Sequence, residues 1–190
     1  METQRTELKS LLKKRLPERP RGTTEQSGLT CAAVLVPLRL RDGEWHVVVT
    51  LRTETVNHHK GQISFPGGSC EPTDAHRLAT ALRETNEEIG IPGSAIEIVG
   101  ALRDFTTITG FAVTPFVGII HGKANYAPNA AEVSEIIEVP LSFLVEPSNL
   151  RTEQLAHEGS VHQVLFWDFG PFTIWGATAR MLKNLLDVIN

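Results

Sequence analysis

Three glutamates, Glu84, Glu87 and Glu88, carry the strongest chemical signal in this chain. They stand at i, i+3 and i+4 in the segment Arg83-Glu84-Thr85-Asn86-Glu87-Glu88-Ile89-Gly90-Ile91. On a helix that spacing gathers carboxylates, and each like-charge neighbour costs roughly 0.2–0.5 kcal/mol. The cluster falls in the last turn and a half before Gly90, where the helix dipole favours cations. Arg83 precedes Glu87 by four residues and relieves part of the repulsion, but not three charges. A divalent cation would invert the local electrostatics. Clustered carboxylates beside a backbone carbonyl suit Mg2+ or Mn2+, hard ions that take oxygen ligands. The competing reading is a solvated acidic helix face. Against it stands Gly67-Gly68, a loop leading into the same helix, whose backbone is free to approach a ligand. No Cys/His pair has zinc-site spacing, and the adjacent His58 and His59 would point to opposite sides of a strand.

The elements that must position these residues follow from periodicity. A helix is predicted over residues 74–89, capped by Thr73 or Asp74 and stopped by Gly90. At ~100° per residue, Ala75, Leu78, Ala79, Leu82, Thr85 and Ile89 share a sheet-packing face, with the three glutamates opposite. Residues 31–40 and 45–51 read as a β-hairpin around the turn Arg41-Asp42-Gly43-Glu44. A short strand over residues 62–65 stops at Pro66-Gly67-Gly68. Further strands are predicted at 96–102, 113–120, 133–139 and 161–168, and a short helix at 140–144. An amphipathic helix over residues 7–16 carries Leu8, Leu11, Leu12 and Leu16, and a polar, proline-rich connection leads from it to residue 28. The chain closes with a helix over 175–189, striped by Ala179, Leu182, Leu185, Leu186 and Ile189. The sum is a mixed sheet covered by helices on its faces.

Composition narrows the function classes. A chain of 190 residues fits one ordinary domain, and 41% hydrophobic with 21% charged residues fits a globular fold. No stretch approaches the ~20 apolar residues of a membrane span, so no membrane partner is expected. Lys and Arg number 18 against 22 Asp and Glu, a net charge of −4, which argues against binding polymeric nucleic acid. The N-terminus lacks a signal-peptide core, and Glu2 and Glu7 count against a mitochondrial transit peptide. Cys31 and Cys70 form no disulfide framework; Cys31 reads as a small buried hydrophobe and Cys70 as an exposed loop residue. That usage fits a reducing, cytoplasmic compartment.

Residues 83–91 resemble the REUxEExGU core of the Nudix box, where U is a bulky aliphatic residue; Thr85 stands at its first U. The surroundings resemble the coenzyme A pyrophosphatase branch of that superfamily. They are Val49-Thr50-Leu51-Arg52-Thr53, then His59 and Gly61, then Ile63-Ser64-Phe65-Pro66-Gly67-Gly68, then Glu71 and Asp74. Asn129-Ala130-Ala131-Glu132-Val133 and the tail from Ile174 to Arg180 are similar to that branch as well. Asn57 stands where the branch usually has an arginine, and Glu71 where it has an aspartate. The resemblance implies an α/β (α+β) fold, a Nudix-like α/β/α sandwich with a mixed sheet between helices, occupying residues 29–190. It implies Mg2+- or Mn2+-dependent hydrolysis of coenzyme A to 3′,5′-ADP and 4′-phosphopantetheine. Alternatives are another nucleoside diphosphate derivative, such as ADP-ribose, a dinucleotide or an oxidised nucleotide, or a nucleotide-sensing domain without turnover. The implied metal ligands are Glu84, Glu87, Glu88 and the Gly68 carbonyl, with Arg83 orienting Glu84 or Glu87 or pairing with an acid in the loop. One of the glutamates, or Glu132, would deprotonate water. Arg52, His59, Lys60 and Phe65 would contact substrate. A homodimer is left open.

Overall fold

The computed structural model describes residues 2–18, 28–54, 61–107, 109–157 and 160–190. It opens with α1 (Glu2–Arg15), longer at its start than the leucine stripe indicated. β1 (Thr30–Arg41) and β2 (Glu44–Arg52) form the expected hairpin. At their junction Asp42 and Gly43 both adopt positive φ, 52° and 86°, as a two-residue turn that follows the strand twist requires. Beyond Val47, β2 leaves β1 and pairs β3 (Ile63–Ser64) instead. β4 (Gly67–Ser69) then takes the place beside β1, with Val34 opposite Gly67 and Ala33 opposite Gly68. The Phe65-Pro66 step therefore carries the chain from one strand to the other, directly ahead of α2 (Arg77–Ile89).

β5 (Ile96–Ala101), β6 (Phe105–Thr106) and β7 (Phe111–Ile120) follow, and β7 runs parallel to β1 from Thr30↔Phe111 to Arg39↔Ile120. β8 (Val133–Pro140) covers the other side of β2. The sheet order is β3-β2-β1-β7-β5, with one parallel pair among antiparallel ones, so the sheet is mixed as expected. α3 (Leu141–Val145) leads to a second sheet of β9 (Leu150–His157), β10 (Ser160–Phe169) and β11 (Phe172–Trp175), and α4 (Gly176–Ile189) ends the chain.

The central sheet is buried on both faces. On one, Ala33, Leu35, Val48 and Phe116 pack with Ala81 and Ile89 of α2. On the other, Val36, Leu38, Val47 and Val49 pack with Leu12 of α1, Trp167 and Ile174 of the second sheet, and Leu182 and Leu185 of α4. The α/β/α layering is thus present, with the small sheet built into one outer layer. α1 belongs to the same core.

Two expectations are corrected. α2 begins at Arg77, not near residue 74, because Asp74 is committed elsewhere; His76 caps it instead, Nδ1 accepting from the Ala79 N–H at 3.1 Å. The cysteines are joined as a disulfide, with Cα atoms 5.4 Å apart. The β1–β4 register places Ala32 opposite Ser69, so Cys31 meets Cys70 one step on, and Cys70 N–H donates to the Cys31 carbonyl at 2.9 Å. The glycine loop's return to β1 is what pairs them, and no cysteine spacing announces it.

α1 is also fixed electrostatically. Glu97 of β5 accepts from Lys9 at 2.8 Å, Lys13 at 2.7 Å and His121 at 3.0 Å. The lysine hydrogen bonds pull its carboxyl down to about 2. A depressed carboxyl stabilises the fold above its unfolded range and loses that contribution as pH falls from about 4.5 towards 2. The groups are partly solvated, so Glu97→Gln is expected to lower Tm by only about 1–3 °C at pH 7 in low salt. Melting curves should converge with wild type near pH 2; an unchanged gap there would refute the assignment.

Candidate active site

The helical geometry of α2 separates the three glutamates rather than presenting them together. At ~100° per residue, position 88 falls within about 20° of position 81, the middle of the buried stripe. Glu88 is accordingly 1% exposed, among Thr80, Ala81, Thr85 and Ile89. Glu84 sits half-buried at the border of the stripe, and Glu87 faces outward at 52%. The expected face was thus rotated: Ala75 is exposed, Leu78, Ala79 and Leu82 are half-buried, and Glu88 points in. Thr85, in the aliphatic slot, is buried without penalty because its hydroxyl donates to the Ala81 carbonyl at 2.6 Å.

Glu88 enters a pocket of backbone and arginine. Its Oε2 accepts from the Gly67 N–H at 3.3 Å, and its Oε1 from Arg52 Nη1 at 3.3 Å. Burial pushes its carboxyl up to about 8 despite Arg52, and Glu84 and Glu132 add to the upward push. Glu84 is also raised, by burial first, with Arg83 opposing and Glu87 and Glu132 reinforcing. A Cβ built on Gly68 would lie 2.5 Å from Glu84 Oε1, so the glycine is what lets that carboxylate rest against the loop backbone.

Arg83 is the hub. Nε and Nη2 hold Asp74 at 3.1 Å each, Nη1 reaches Glu84 and Glu87 at 2.9 Å, and Nη2 donates to the Ser69 carbonyl at 3.2 Å. Glu71 lies 3.7 Å from Nη1. Asp74 also accepts from the Glu71 N–H at 2.9 Å and from Thr80 at 2.8 Å; Arg83 above all, with these two donors, holds its carboxyl far below the usual range. Glu132 stands half-buried on the loop before β8, bonded by Asn129 Nδ2 at 3.2 Å, and its carbonyl accepts from the Thr53 N–H at 2.9 Å.

These observations test whether the residues fit a divalent cation. The donors are oxygens, two carboxylates are raised by burial and mutual repulsion, and a side-chain-free backbone borders Glu84. That chemistry fits a hard cation. Among the described residues no three His, Cys, Asp or Glu side chains converge closely enough to chelate as they stand, because Arg83 and Arg52 occupy the carboxylates.

The NUDIX domain family matches residues 29–162. The chain is also 35% identical over 185 residues to "Uncharacterized Nudix hydrolase NudL" of Salmonella newport, covering 97% of this chain and 96% of that one. The protein is a Nudix hydrolase. A NUDIX hydrolase from Alicyclobacillus acidocaldarius superposes with a TM-score of 0.54 at 20% identity, over 87% of this chain and 94% of that one. A MutT/nudix family protein from Enterococcus faecalis gives 0.56 at 16% identity, over 89% and 65%. Nudix hydrolases act on nucleoside diphosphate derivatives and generally use divalent cations such as Mg2+.

In this Nudix hydrolase the structure brings Arg52, Gly68, Arg83, Glu84, Glu88 and Glu132 into one region, with Glu87 at its rim. His59 and Lys60 lie outside the described residues, as does Asn57. Phe65 is corrected: it is 2% exposed within the core on the α4 side, so it cannot touch substrate. Sequence reasoning missed the Gly67 N–H as a partner of Glu88, which depends on how the loop folds back; of the two roles expected for Arg83, orienting the helix glutamates and pairing with an acid of the loop, the structure shows both, with Asp74 as the loop acid.

The two glycines predict opposite phenotypes. A Cβ on Gly67 would meet the Ala33 carbonyl at 2.5 Å and the Val34 Cα at 2.6 Å, at a φ of +155°. Those atoms are backbone and cannot yield, so Gly67→Ala is expected to destabilise by about 1–3 kcal/mol. Gly68→Ala meets only the end of the Glu84 side chain, so it should keep its Tm within about 2 °C and lose activity instead. Calorimetry beside an activity assay separates the two; equal loss of Tm would contradict the contrast.

Proposed function

We propose that the protein hydrolyses the diphosphate of coenzyme A or its derivatives, with Mg2+ or Mn2+, to 3′,5′-ADP and 4′-phosphopantetheine. The observation that carries the hydrolytic reading is the buried Glu88 carboxylate, with Glu84 beside it against the glycine loop. Glu84, Glu88 and the Gly68 carbonyl would hold the cation, with Glu87 joining from the rim. When bound, the cation offsets phosphate charge and lowers the barrier to water attack. Arg83 positions Glu84 and Glu87 and ties them through Asp74 and the Ser69 carbonyl to the loop. Arg52, whose Nη1 donates to Glu88, would meet a phosphate oxygen of the substrate. Glu132 or one of the helix glutamates takes the proton from the attacking water. Water's oxygen joins one phosphorus, the P–O bond of the bridge breaks, and the second phosphate leaves.

Coenzyme A is favoured by the branch resemblance, carried by the segment from Val49 to Asp74 and by the tail from Ile174 to Arg180, which a hydrogen bond from Thr178 Oγ1 to the Ile63 carbonyl at 3.0 Å joins in the fold. A cytoplasmic location goes with that reading. The test is steady-state hydrolysis of coenzyme A, 3′-dephospho-coenzyme A, ADP-ribose and a dinucleoside polyphosphate. Coenzyme A is expected to give the highest kcat/KM, about tenfold or more over its dephospho form, as the loss of one charged contact implies. Equal cleavage of all four would overturn the substrate assignment, and cleavage of none would overturn the enzyme reading.

A further inference from the structure

The segment that brings Gly67 and Gly68 to the glutamates is weakly built. β4 has three residues, two of them glycines that supply no side chain to pack. At its start the Leu35 N–H donates to the Pro66 carbonyl at 2.9 Å, and Phe65 and Pro66 are buried. At its end Ser69 is exposed, and the chain continues through exposed Glu71, Pro72 and Thr73 before α2. What fastens that end to β1 beyond the strand pairing is the Cys31–Cys70 link and the backbone hydrogen bond beside it, while Arg83 ties it to α2 through the Ser69 carbonyl and Asp74. Three groups the loop offers the site lie within three residues of Cys70: the Gly67 N–H on Glu88, the backbone of Gly68 against Glu84, and the Ser69 carbonyl on Arg83.

We propose that Cys31 and Cys70 are a reversible positioning pair for this loop, whose reduction loosens β4 and weakens cation binding. Both cysteines are half-buried, and their neighbours Thr30, Ser69 and Glu71 are exposed, so a reductant can reach the sulfurs. The chemistry is thiol–disulfide exchange with a dithiol. Two electrons and two protons pass to the protein, the Cys31–Cys70 bond opens to two thiols, and the dithiol closes to its own disulfide. In a reducing compartment a protein disulfide is characteristically transient and regulatory, so the link acts as a sensor there. The proposal rests on the reading of Glu84, Glu88 and Gly68 as the cation site for its binding arm, but not for its loop arm.

The test uses the full chain, air-oxidised and then reduced with dithiothreitol. Alkylation and mass spectrometry count the thiols: none is expected before reduction and two after. Amide hydrogen exchange at residues 67–70 is expected to speed up at least about tenfold on reduction, while α4 stays unchanged. Mn2+ affinity, read by electron paramagnetic resonance, is expected to fall about fivefold or more. Cys31→Ser with Cys70→Ser should match the reduced protein and ignore dithiothreitol; should it misfold, the wild-type redox comparison decides alone. Two free thiols in the oxidised chain would overturn the proposal. So would exchange and Mn2+ binding that agree within twofold between the two states. If the loop responds but no diphosphate is hydrolysed, the function assignment fails and the positioning pair stands. If hydrolysis is intact and identical in both states, the reverse holds.

Discussion

Glu88→Gln is expected to abolish most hydrolysis and to stabilise the cation-free protein. The two effects share one cause. Glu88 is a fully buried carboxylate with one arginine and one backbone N–H for company, and burial pushes it up to about 8. Gln keeps the shape and removes the charge that burial penalises. It also removes the ligand, and with it cation stabilisation of the transition state worth several kcal/mol, so kcat should fall by roughly 10^2–10^4. A raised carboxyl means that the folded chain binds more protons than the unfolded one between about pH 4.5 and 8. Stability of the cation-free wild type should therefore decline as pH rises through that window. The variant should lack that part of the slope. A drop of about 2 kcal/mol corresponds to about 4–8 °C in a chain of this size. Thermal melts in chelator at pH 5 and 8 read the slope directly, and saturating Mg2+ should restore wild-type stability at pH 8 but leave the variant unmoved. A wild type with flat pH dependence, or a variant with full turnover, would contradict the assignment.

The same residue shows where sequence reading stops. Spacing alone marked the acids and placed them at the dipole's unfavourable end. The face assignment erred because leucine and alanine were weighted as the buried stripe, while the sheet takes the stripe centred near Ala81 and Thr85. A buried glutamate reads as an exposed one until a cation is allowed into the helix interface. The hairpin was legible because Asp-Gly dictates its turn, and the end of α2 because Gly90 adopts φ 72°. β9 was not legible: Arg151, Thr152, Glu153, Gln154 and Leu155 are all exposed, so little apolar alternation marks a strand that lies on the outer sheet. β4 and β11 are three and four residues long and exist through pairing rather than propensity, whereas the short strand expected over residues 62–65 is present as β3. The Cys31–Cys70 link belongs to the same class, since only the register of β4 on β1 brings the sulfurs together.

Arg83→Lys is expected to fail almost as completely as Arg83→Ala, and the reason lies in geometry rather than charge. The guanidinium presents its donors as a rigid planar fork, and here every edge is used. Nε and Nη2 clasp both Asp74 oxygens, Nη1 bridges Glu84 and Glu87, and Nη2 also reaches the Ser69 carbonyl. A lysine ammonium is a single point with three donors and cannot span Asp74 and the glutamates at once. Either it stays with Asp74, freeing Glu84 to turn from the loop, or it stays with the glutamates and leaves Asp74 without its principal partner. In both cases the loop from Ser69 to Asp74 loses its tie to α2. We expect kcat to drop about 10^2-fold or more for Lys, with KM for Mg2+ raised, because orienting partners of metal ligands are typically worth 10–100-fold in affinity or activity. Asp74→Asn should reproduce much of that loss although it touches no cation ligand, since it breaks the same clasp from the other side. A double-mutant cycle decides the matter: Arg83→Lys and Asp74→Asn together should cost little more than either alone. Additive losses would mean that Arg83 serves the glutamates directly and that Asp74 is a bystander.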